Sequence, residues 1–187
     1  MSKERITPER IKEVVAQVLG EVTSEPAQQP APRATSGPAS LVVAIGADHG
    51  GFQLKESLKR YLEEELSMTV SDLGTQSEES VDYPDFALAV ARAVASGEVG
   101  RGIVIDTMGI GSSIAANKVK GVRAALCHDV ATARNSRAHN DANVLALGSR
   151  VVNVGHARRI VREWLAASFE GGRHARRVQK ITDSERT

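Results

Sequence analysis

The sequence predicts an α/β protein, a three-layer α/β/α sandwich with a five-stranded parallel sheet. Short apolar runs alternate along the chain with longer segments in which apolar residues recur at helical spacing. The runs are apolar almost throughout, and strands have that composition when helices cover both faces of a parallel sheet.

Five apolar runs are the predicted strands. The first, from Leu41 to Ala47, is the longest uninterrupted one, and the others share its enrichment in Val, Ile, Leu and Ala. They cover residues 41–47, 68–73, 102–105, 122–127 and 143–147.

Six segments between and after these strands are predicted helices. In the first, Phe52, Leu54, Leu58 and Leu62 recur at helical spacing, and the second is rich in Ala and Val. The helices are expected over residues 51–66, 84–96, 110–118, 129–137, 155–169 and 173–182.

Size and composition exclude several classes of protein. The chain has 187 residues, 41% of them hydrophobic and 25% charged, which suits one domain rather than a large multidomain enzyme. With 24 basic and 23 acidic residues the net charge is +1, so no global field attracts nucleic acid or anionic lipid. Cys127 is a single cysteine, and neither a membrane span nor a secretory signal is evident. We expect a cytoplasmic protein.

The N-terminal 40 residues differ in composition from the rest. Residues 23–40 are rich in Pro, Ala and Ser, which predicts a flexible linker, and the compact domain is expected over residues 41–187. Upstream, Ile11, Val14, Val15 and Val18 recur at helical spacing, so residues 1–22 are predicted to form a short amphipathic helix. That arrangement is typical of a tethered docking peptide. A disordered leader, or a helix packed on its own domain, is the alternative.

Polar side chains with acid–base chemistry follow the predicted strands. Asp48 and His49 follow the first, Asp106 and Thr107 the third, and His139 and Asn140 precede the fifth. In open α/β sheets ligands bind beyond the carboxyl ends of the strands. We therefore expect these groups to converge on one edge of the sheet.

The Gly109-x-Gly111 turn opens the helix that follows the third strand. Backbone N–H groups at such a turn attract an anion or a developing oxyanion, although a tight turn that needs glycines for its geometry explains the sequence equally well. It is a poor dinucleotide fingerprint because Ile114 occupies the third glycine position.

Arg173 and Arg177 are four residues apart on one predicted helical face. A guanidinium pair at that spacing suits a phosphate group. From composition alone, a solvated basic helix that balances the acidic segment from Glu63 to Glu98 is the stronger interpretation. The histidines lack the sequence spacing of a zinc site, so we predict neither a metal nor a cofactor.

Taken together, several motifs resemble ribose-5-phosphate isomerase B and the related galactose-6-phosphate isomerase subunits. The resemblance covers residues 41–183 in unbroken order and implies a Rossmann-like fold, metal-free interconversion of aldose and ketose phosphates, and a homodimer with sites formed between subunits. A tetramer of paired dimers is the alternative assembly. The motifs are Ala44-Ile45-Gly46-Ala47-Asp48-His49-Gly50-Gly51-Phe52, Asp82-Tyr83-Pro84, Gly109-Ile110-Gly111, Ala115-Ala116-Asn117-Lys118, Ser136-Arg137-x-His139-Asn140-Asp141-x-Asn143, Gly148-Ser149-Arg150 and Glu170-Gly171-Gly172-Arg173-His174.

The resemblance also implies roles for individual residues. His139 resembles the acid/base that opens the sugar ring, and Asn140 the residue that handles the enediolate hydroxyls. The remaining positions resemble substrate-binding residues: Asp48 and His49 at the sugar and phosphate ends, the backbone of Gly109, Gly111, Ser112 and Ser113 as an anion hole, and Arg173 and Arg177 as phosphate ligands.

One departure from the family concerns the base that moves the carbon-bound proton. The family places a cysteine at the position of Asp106 or, in another branch, a glutamate at the position of Ser112. The family usually has a threonine at the position of Met108. In this sequence the threonine is Thr107, one position earlier, and it is kept as a candidate catalytic residue. Asp106 is the predicted base, and a structural role as cap of the turn is its alternative. Three outcomes stay open: the same isomerase, an isomerase with another sugar preference, or a phosphosugar-binding or assembly protein without turnover.

The N-terminal helix and linker resemble the encapsulation peptides of enzymes that are packaged into bacterial microcompartments. That resemblance implies a shell protein as partner of residues 1–22 and a location in the microcompartment lumen.

Overall fold

A computed structural model of the chain describes residues 42–185 and confirms the predicted α/β sandwich. The five strands form one parallel sheet in the order β2-β1-β3-β5-β4, and six helices flank it. The strands are β1 Val42–Ala47, β2 Thr69–Asp72, β3 Arg101–Asp106, β4 Ala124–Leu126 and β5 Val144–Gly148. The helices are α1 Phe52–Arg60, extended by a π-helical turn over Tyr61–Glu65, α2 Tyr83–Ser96, α3 Ile110–Ala116, α4 Val130–Asn140, α5 Val154–Ala166 and α6 Arg173–Ser184. The predicted N-terminal helix (1–22) and linker (23–40) lie outside the described residues.

Two apolar clusters fill the spaces on either side of the sheet. Helices α1, α4 and α5 cover one face, where Leu58, Ile160 and Trp164 are fully buried. Helices α2 and α3 cover the other, where Val90 and Ala91 are fully buried. The apolar composition of the strands follows from this double covering. Within residues 42–185, no helix is both long and apolar enough to cross a membrane.

Helix α4 extends three residues beyond its predicted end at Arg137. Asp129 caps its start, where the carboxylate accepts the Thr132 N–H at 2.8 Å. Its end is fixed by Asp141, which adopts a left-handed conformation with φ 47° and forms a salt bridge with Arg137 at 2.7 Å. His139 therefore lies in the last helical turn and not in a loop.

A buried ion pair fastens α1 to β2. The Lys55 side chain is fully buried, and its Nζ donates to Oδ2 of Asp72 and Oε1 of Glu56, each at 2.6 Å. Lys59 adds a third contact, to Asp72 at 3.0 Å. Burial acts to raise the pKa of Asp72, but the hydrogen bonds from Lys55, Gly74 and Lys59 outweigh it, so this pKa is lowered.

Replacement of Asp72 by asparagine is expected to destabilise the fold by about 2 to 3 kcal/mol at neutral pH, since Lys55 then retains only one anionic partner. Because the folded-state pKa of Asp72 is depressed, its contribution is present above the unfolded-state value, near 3.9, and disappears as the pH falls through the folded-state value. Urea unfolding of parent and variant at neutral and acidic pH measures this difference. The exposed Glu98→Gln is the control, and an equal difference at both pH values would contradict the assignment.

Candidate active site

Asp48 directly follows β1, and Asp106 is the last residue of the neighbouring strand β3, so both lie at the carboxyl edge of the sheet. Asp48 is 6% exposed, its N–H donates to the Ile105 carbonyl at 3.3 Å, and its Oδ1 accepts the Gly51 N–H at 2.9 Å. Burial raises the pKa of Asp48; the nearby charge of Asp106 adds to the rise, and the Gly51 hydrogen bond opposes it. The two carboxyl groups thus share one partly desolvated site.

Thr107 and His49 lie beside this pair. A Cβ atom at Gly50 would overlap the Thr107 hydroxyl, so the glycine permits the loops after β1 and β3 to approach closely. The Ser149 hydroxyl donates to the Gly50 carbonyl at 2.6 Å and joins the loop after β5 to the same group. His49 is exposed, with Nδ1 3.2 Å from both the carbonyl oxygen and the amide nitrogen of Val81.

The Asp106 carboxylate lies within the Gly109-x-Gly111 turn and is 6% exposed. Its Oδ1 accepts the N–H groups of Met108, at 2.8 Å, and of Gly109, while Oδ2 accepts the Ser112 N–H at 2.8 Å. These are the contacts expected of a side chain that caps the turn, which is the alternative role of Asp106. A carboxylate has about four acceptor positions, so three N–H donors leave one on Oδ2 for another partner.

Two backbone N–H groups of the same turn remain for a ligand. Those of Ile110 and Gly111 have no hydrogen-bond acceptor among residues 42–185, whereas Ser113 donates to the Gly109 carbonyl at 3.1 Å. Gly109 adopts φ 79°, in the left-handed region that favours glycine. A donor pair of this kind suits an oxyanion.

Tyr83 was not among the predicted site residues. A Cβ atom at Gly111 would lie 2.6 Å from atoms of its ring, so the ring packs against the turn while 40% of the residue stays exposed. The sequence signal was its place in the Asp82-Tyr83-Pro84 motif, but the contact with Gly111 is long-range and no local pattern predicts it.

The second group of predicted residues surrounds His139. Asn135 Nδ2 lies 2.9 Å from its Nδ1, and Oε2 of Glu170 lies 3.4 Å from its Nε2. The His174 ring stacks on it, with centroids 4.1 Å apart and planes inclined by 8°. Burial, together with the charges of His139 and Arg173, lowers the pKa of His174. Glu170, His174 and Asn135 were not predicted as site residues, because tertiary packing alone brings them to His139.

Arg173 lies at the start of α6, next to this group, and Arg177 follows one turn later on the same helix. Both are exposed, and Nε of Arg173 lies 3.4 Å from Nε2 of His174. Asn140 is also exposed, and its carbonyl accepts the Arg123 Nε–H at 3.2 Å. The two guanidinium groups therefore lie near His139 and His174 and not near the carboxylates of Asp48 and Asp106.

The prediction that all candidate residues converge on one edge of the sheet is wrong for His139 and Asn140. Helix α4 follows β4 and leads into β5, so it runs antiparallel to the strands and its last turn lies at the amino edge. The helix has 11 residues, which at about 1.5 Å per residue separates its ends by roughly 16 Å. The candidate residues of one chain therefore form two separate groups: a carboxyl-edge group with Asp48 and Asp106, and an amino-edge group with His139 and Arg173.

Comparisons with known proteins decide the family. A sequence profile described as ribose/galactose isomerase matches residues 43–181. The chain belongs to the ribose/galactose isomerase family.

Members of this family match at both the sequence and the structural level. The ribose-5-phosphate isomerase B of Escherichia coli is 52% identical over 143 residues, which are 76% of this chain and 95% of that protein. The D-erythrulose-4-phosphate isomerase of Pectobacterium atrosepticum is 44% identical over 75% of this chain and 93% of its own length. The solved ribose-5-phosphate isomerase B of Clostridium thermocellum has a TM-score of 0.77 and 55% identity over 78% of this chain and 98% of that one.

Proposed function

We propose that this chain interconverts an aldose phosphate and its ketose phosphate, with ribose 5-phosphate and ribulose 5-phosphate as the reacting pair. The Asp106 carboxylate beside the free N–H groups of Ile110 and Gly111 carries this proposal, because enolisation needs a base and an oxyanion site next to each other. The identity with relatives named ribose-5-phosphate isomerase B supports the choice of sugar.

The proposed reaction moves one carbon-bound proton. Asp106 takes the C2 proton of the open-chain aldose, the electron pair forms a C1–C2 double bond, and negative charge develops on O1, where the Ile110 and Gly111 N–H groups donate. The proton returns to C1, and the proton on O2 passes to O1 as the C2 carbonyl forms. Asp48 and Thr107, next to the base, bind sugar hydroxyls, and His49 lies at the mouth of the site.

The proposed site is completed by a second copy of the chain. His139, which opens the sugar ring, and Asn140, Arg173 and Arg177 lie at the opposite edge from Asp106, too far away to act on the same sugar within one chain. An apolar patch next to the Gly109-x-Gly111 turn suits such a dimer: Met108, Ile110 and Ile114 are 47%, 52% and 58% exposed. A symmetric dimer contains two such composite sites.

The direct experiment is incubation of the purified full chain with ribose 5-phosphate and detection of ribulose 5-phosphate. We expect the ketose to accumulate to an equilibrium ratio that is the same from either side. D-erythrulose 4-phosphate should be tested in parallel, because the Pectobacterium atrosepticum relative is named D-erythrulose-4-phosphate isomerase. Binding of both sugars without conversion of either would contradict the enzymatic proposal and favour a phosphosugar-binding protein.

Arg177→Ala is expected to weaken ribose 5-phosphate binding by about 1.5 to 3 kcal/mol, roughly ten- to a hundredfold, since a hydrogen bond to a charged group has that strength. Stability should change little because the side chain is exposed. Isothermal titration of parent and variant measures the effect, with Arg176→Ala, its exposed neighbour, as control. Equal affinity of parent and Arg177→Ala would show that this arginine is only a surface charge.

Residues 1–22 are proposed to dock the enzyme to a microcompartment shell protein. The apolar residues at helical spacing and the Pro-rich segment that follows support this idea. A fusion of residues 1–40 to a fluorescent protein should co-localise with shells in a host that makes them, and Val14→Asp with Val18→Asp should abolish co-localisation. Diffuse fluorescence of the unmodified fusion would contradict the proposal.

A further inference from the structure

The amino-edge group contains three side chains of the types that bind metal ions: His139, Glu170 and His174. Their donor atoms all lie within 4.8 Å of one another. Oε2 of Glu170 lies 3.4 Å from Nε2 of His139 and 3.9 Å from Nε2 of His174. The backbone holds this arrangement, because the Glu170 N–H donates to the Ala138 carbonyl at 2.9 Å.

The separation between His139 and Glu170 suits a small dication as it stands, and the other separations are longer. Two donor atoms of a tetrahedral zinc ion, each about 2.1 Å from the metal, lie about 3.4 Å apart. Two imidazoles and one carboxylate leave a fourth position for water or another exchangeable ligand. Imidazole nitrogen and carboxylate oxygen together favour zinc and its transition-metal neighbours over calcium or magnesium.

One ring must turn before both histidines can bind the same ion. The stacked rings have nearly parallel planes, so their in-plane lone pairs do not meet at one point. His139 has the freedom to turn, because its side chain is 36% exposed and it lies in the last turn of α4. In the observed orientation of His139, Asn135 with its amide reversed accepts the Nδ1–H through Oδ1, as the outer partners of metal-bound histidines do, so the turn must be small enough to keep this contact.

The neighbouring arginines act against a cation. Nε of Arg173 lies 3.4 Å from Nε2 of His174, and that contact is lost when the ion binds. In the opposite direction, the Glu170 carboxylate contributes a negative charge to the same group of three donors. The balance of these effects predicts an exchangeable site and not a permanent structural one.

We propose that His139, Glu170 and His174 bind a divalent transition-metal ion of the zinc class, and that the bound ion prevents His139 from acting on the sugar. The site is thus inhibitory rather than catalytic. Its inhibitory half rests on the proposed isomerase function, whereas metal binding does not.

Zinc binding to the full chain is measured without substrate, by competition with a chromophoric chelator. We expect one ion per chain at micromolar concentration. Glu170→Gln and His174→Gln should each weaken binding more than about 100-fold, because the loss of a direct ligand exceeds the 10- to 100-fold effect of an outer partner. Arg173→Gln should tighten it. His156→Gln is the matched control, since that histidine instead contacts the His128 carbonyl at 3.1 Å.

Two results would overturn the metal site: no zinc binding by the parent at micromolar ion, or equal zinc affinity of Glu170→Gln and the parent. Glu170 is exposed, so that variant stays informative even when the substitution at the buried His174 impairs folding.

In a separate assay, zinc should inhibit ribose 5-phosphate isomerisation by the parent, and a chelator should reverse this inhibition. Zinc should inhibit Glu170→Gln much less. Zinc binding without inhibition would overturn the inhibitory role, and zinc binding by a chain with no isomerase activity would overturn the proposed function but not the metal site.

Discussion

Asp106→Asn is expected to lower kcat by about a thousandfold while KM changes little, because the amide has no basic oxygen to accept the C2 proton. The substitution retains a side-chain oxygen that can accept the N–H groups of Met108 and Gly109, so the turn should survive. Steady-state kinetics with ribose 5-phosphate and urea unfolding of the same preparations separate the catalytic effect from the structural one.

A pure capping role predicts a different outcome for the same variant. If Asp106 only caps the turn, kcat should change little, because asparagine caps about as well as aspartate and only the Oδ2 contact with the Ser112 N–H is lost. Asp129→Asn is the matched control, because Asp129 also caps a helix and accepts the Thr132 N–H, yet lies outside the proposed site. An Asp106→Asn enzyme with nearly full kcat would assign Asp106 to the turn alone.

Co-expression of two defective chains is expected to restore activity if the site is shared between copies. Asp106→Asn damages the carboxyl-edge group, and His139→Ala removes a general acid/base at the amino edge, each with a loss of about a hundredfold or more when alone. In a mixed dimer one composite site carries both lesions and the other carries neither. Mixed dimers, purified through two different tags, should therefore have about half the parent activity.

A site contained within one chain predicts no recovery, because every site in the mixed dimer then carries a lesion. The control is a mixed dimer in which both substitutions are on one chain and the other chain is unmodified. For this dimer a shared site predicts almost no activity, because each of its two sites contains one lesion, whereas a site within one chain predicts about half the parent activity. The two mixed dimers therefore give opposite results for the two arrangements.

The elements and the parallel sheet were predictable because each has a local sequence signal. Because helices cover both faces of the sheet, the strands are apolar almost throughout, and the helices show apolar residues at helical spacing. Only the boundaries of the elements therefore differ from the prediction. One of the two largest shifts, the three-residue extension of α4, has a long-range cause. Salt bridges from Arg123 and Arg137 hold Asp141, which ends the helix, and Arg123 comes from the segment before β4.

The division of the candidate site into two edges was also decided by topology. His139 and Asn140 precede β5 in the sequence, which already places them at the amino end of a parallel strand. The prediction of a single edge grouped them with the residues that follow the other strands. Whether a residue follows or precedes its strand in the sequence, and not its residue type, would have separated the two groups.

Contacts between side chains of different elements could not be predicted. Occupation of the Asp106 carboxylate by three backbone N–H groups depends on the backbone path of the turn. Likewise, the stacking of His174 on His139 requires α6 to pack beside α4, for which no local pattern exists.

The proposed chemistry is tested most directly by exchange of the C2 hydrogen of ribose 5-phosphate with solvent deuterium, followed by proton NMR. The parent should remove the C2–H signal and incorporate deuterium into both sugars, while Asp106→Asn should leave that signal in place over the same period. Asp129→Asn, which keeps the proposed base, should exchange as the parent does. Exchange in Asp106→Asn at the parent rate, or a parent that neither exchanges nor isomerises the sugar, would contradict an enediolate mechanism with Asp106 as its base.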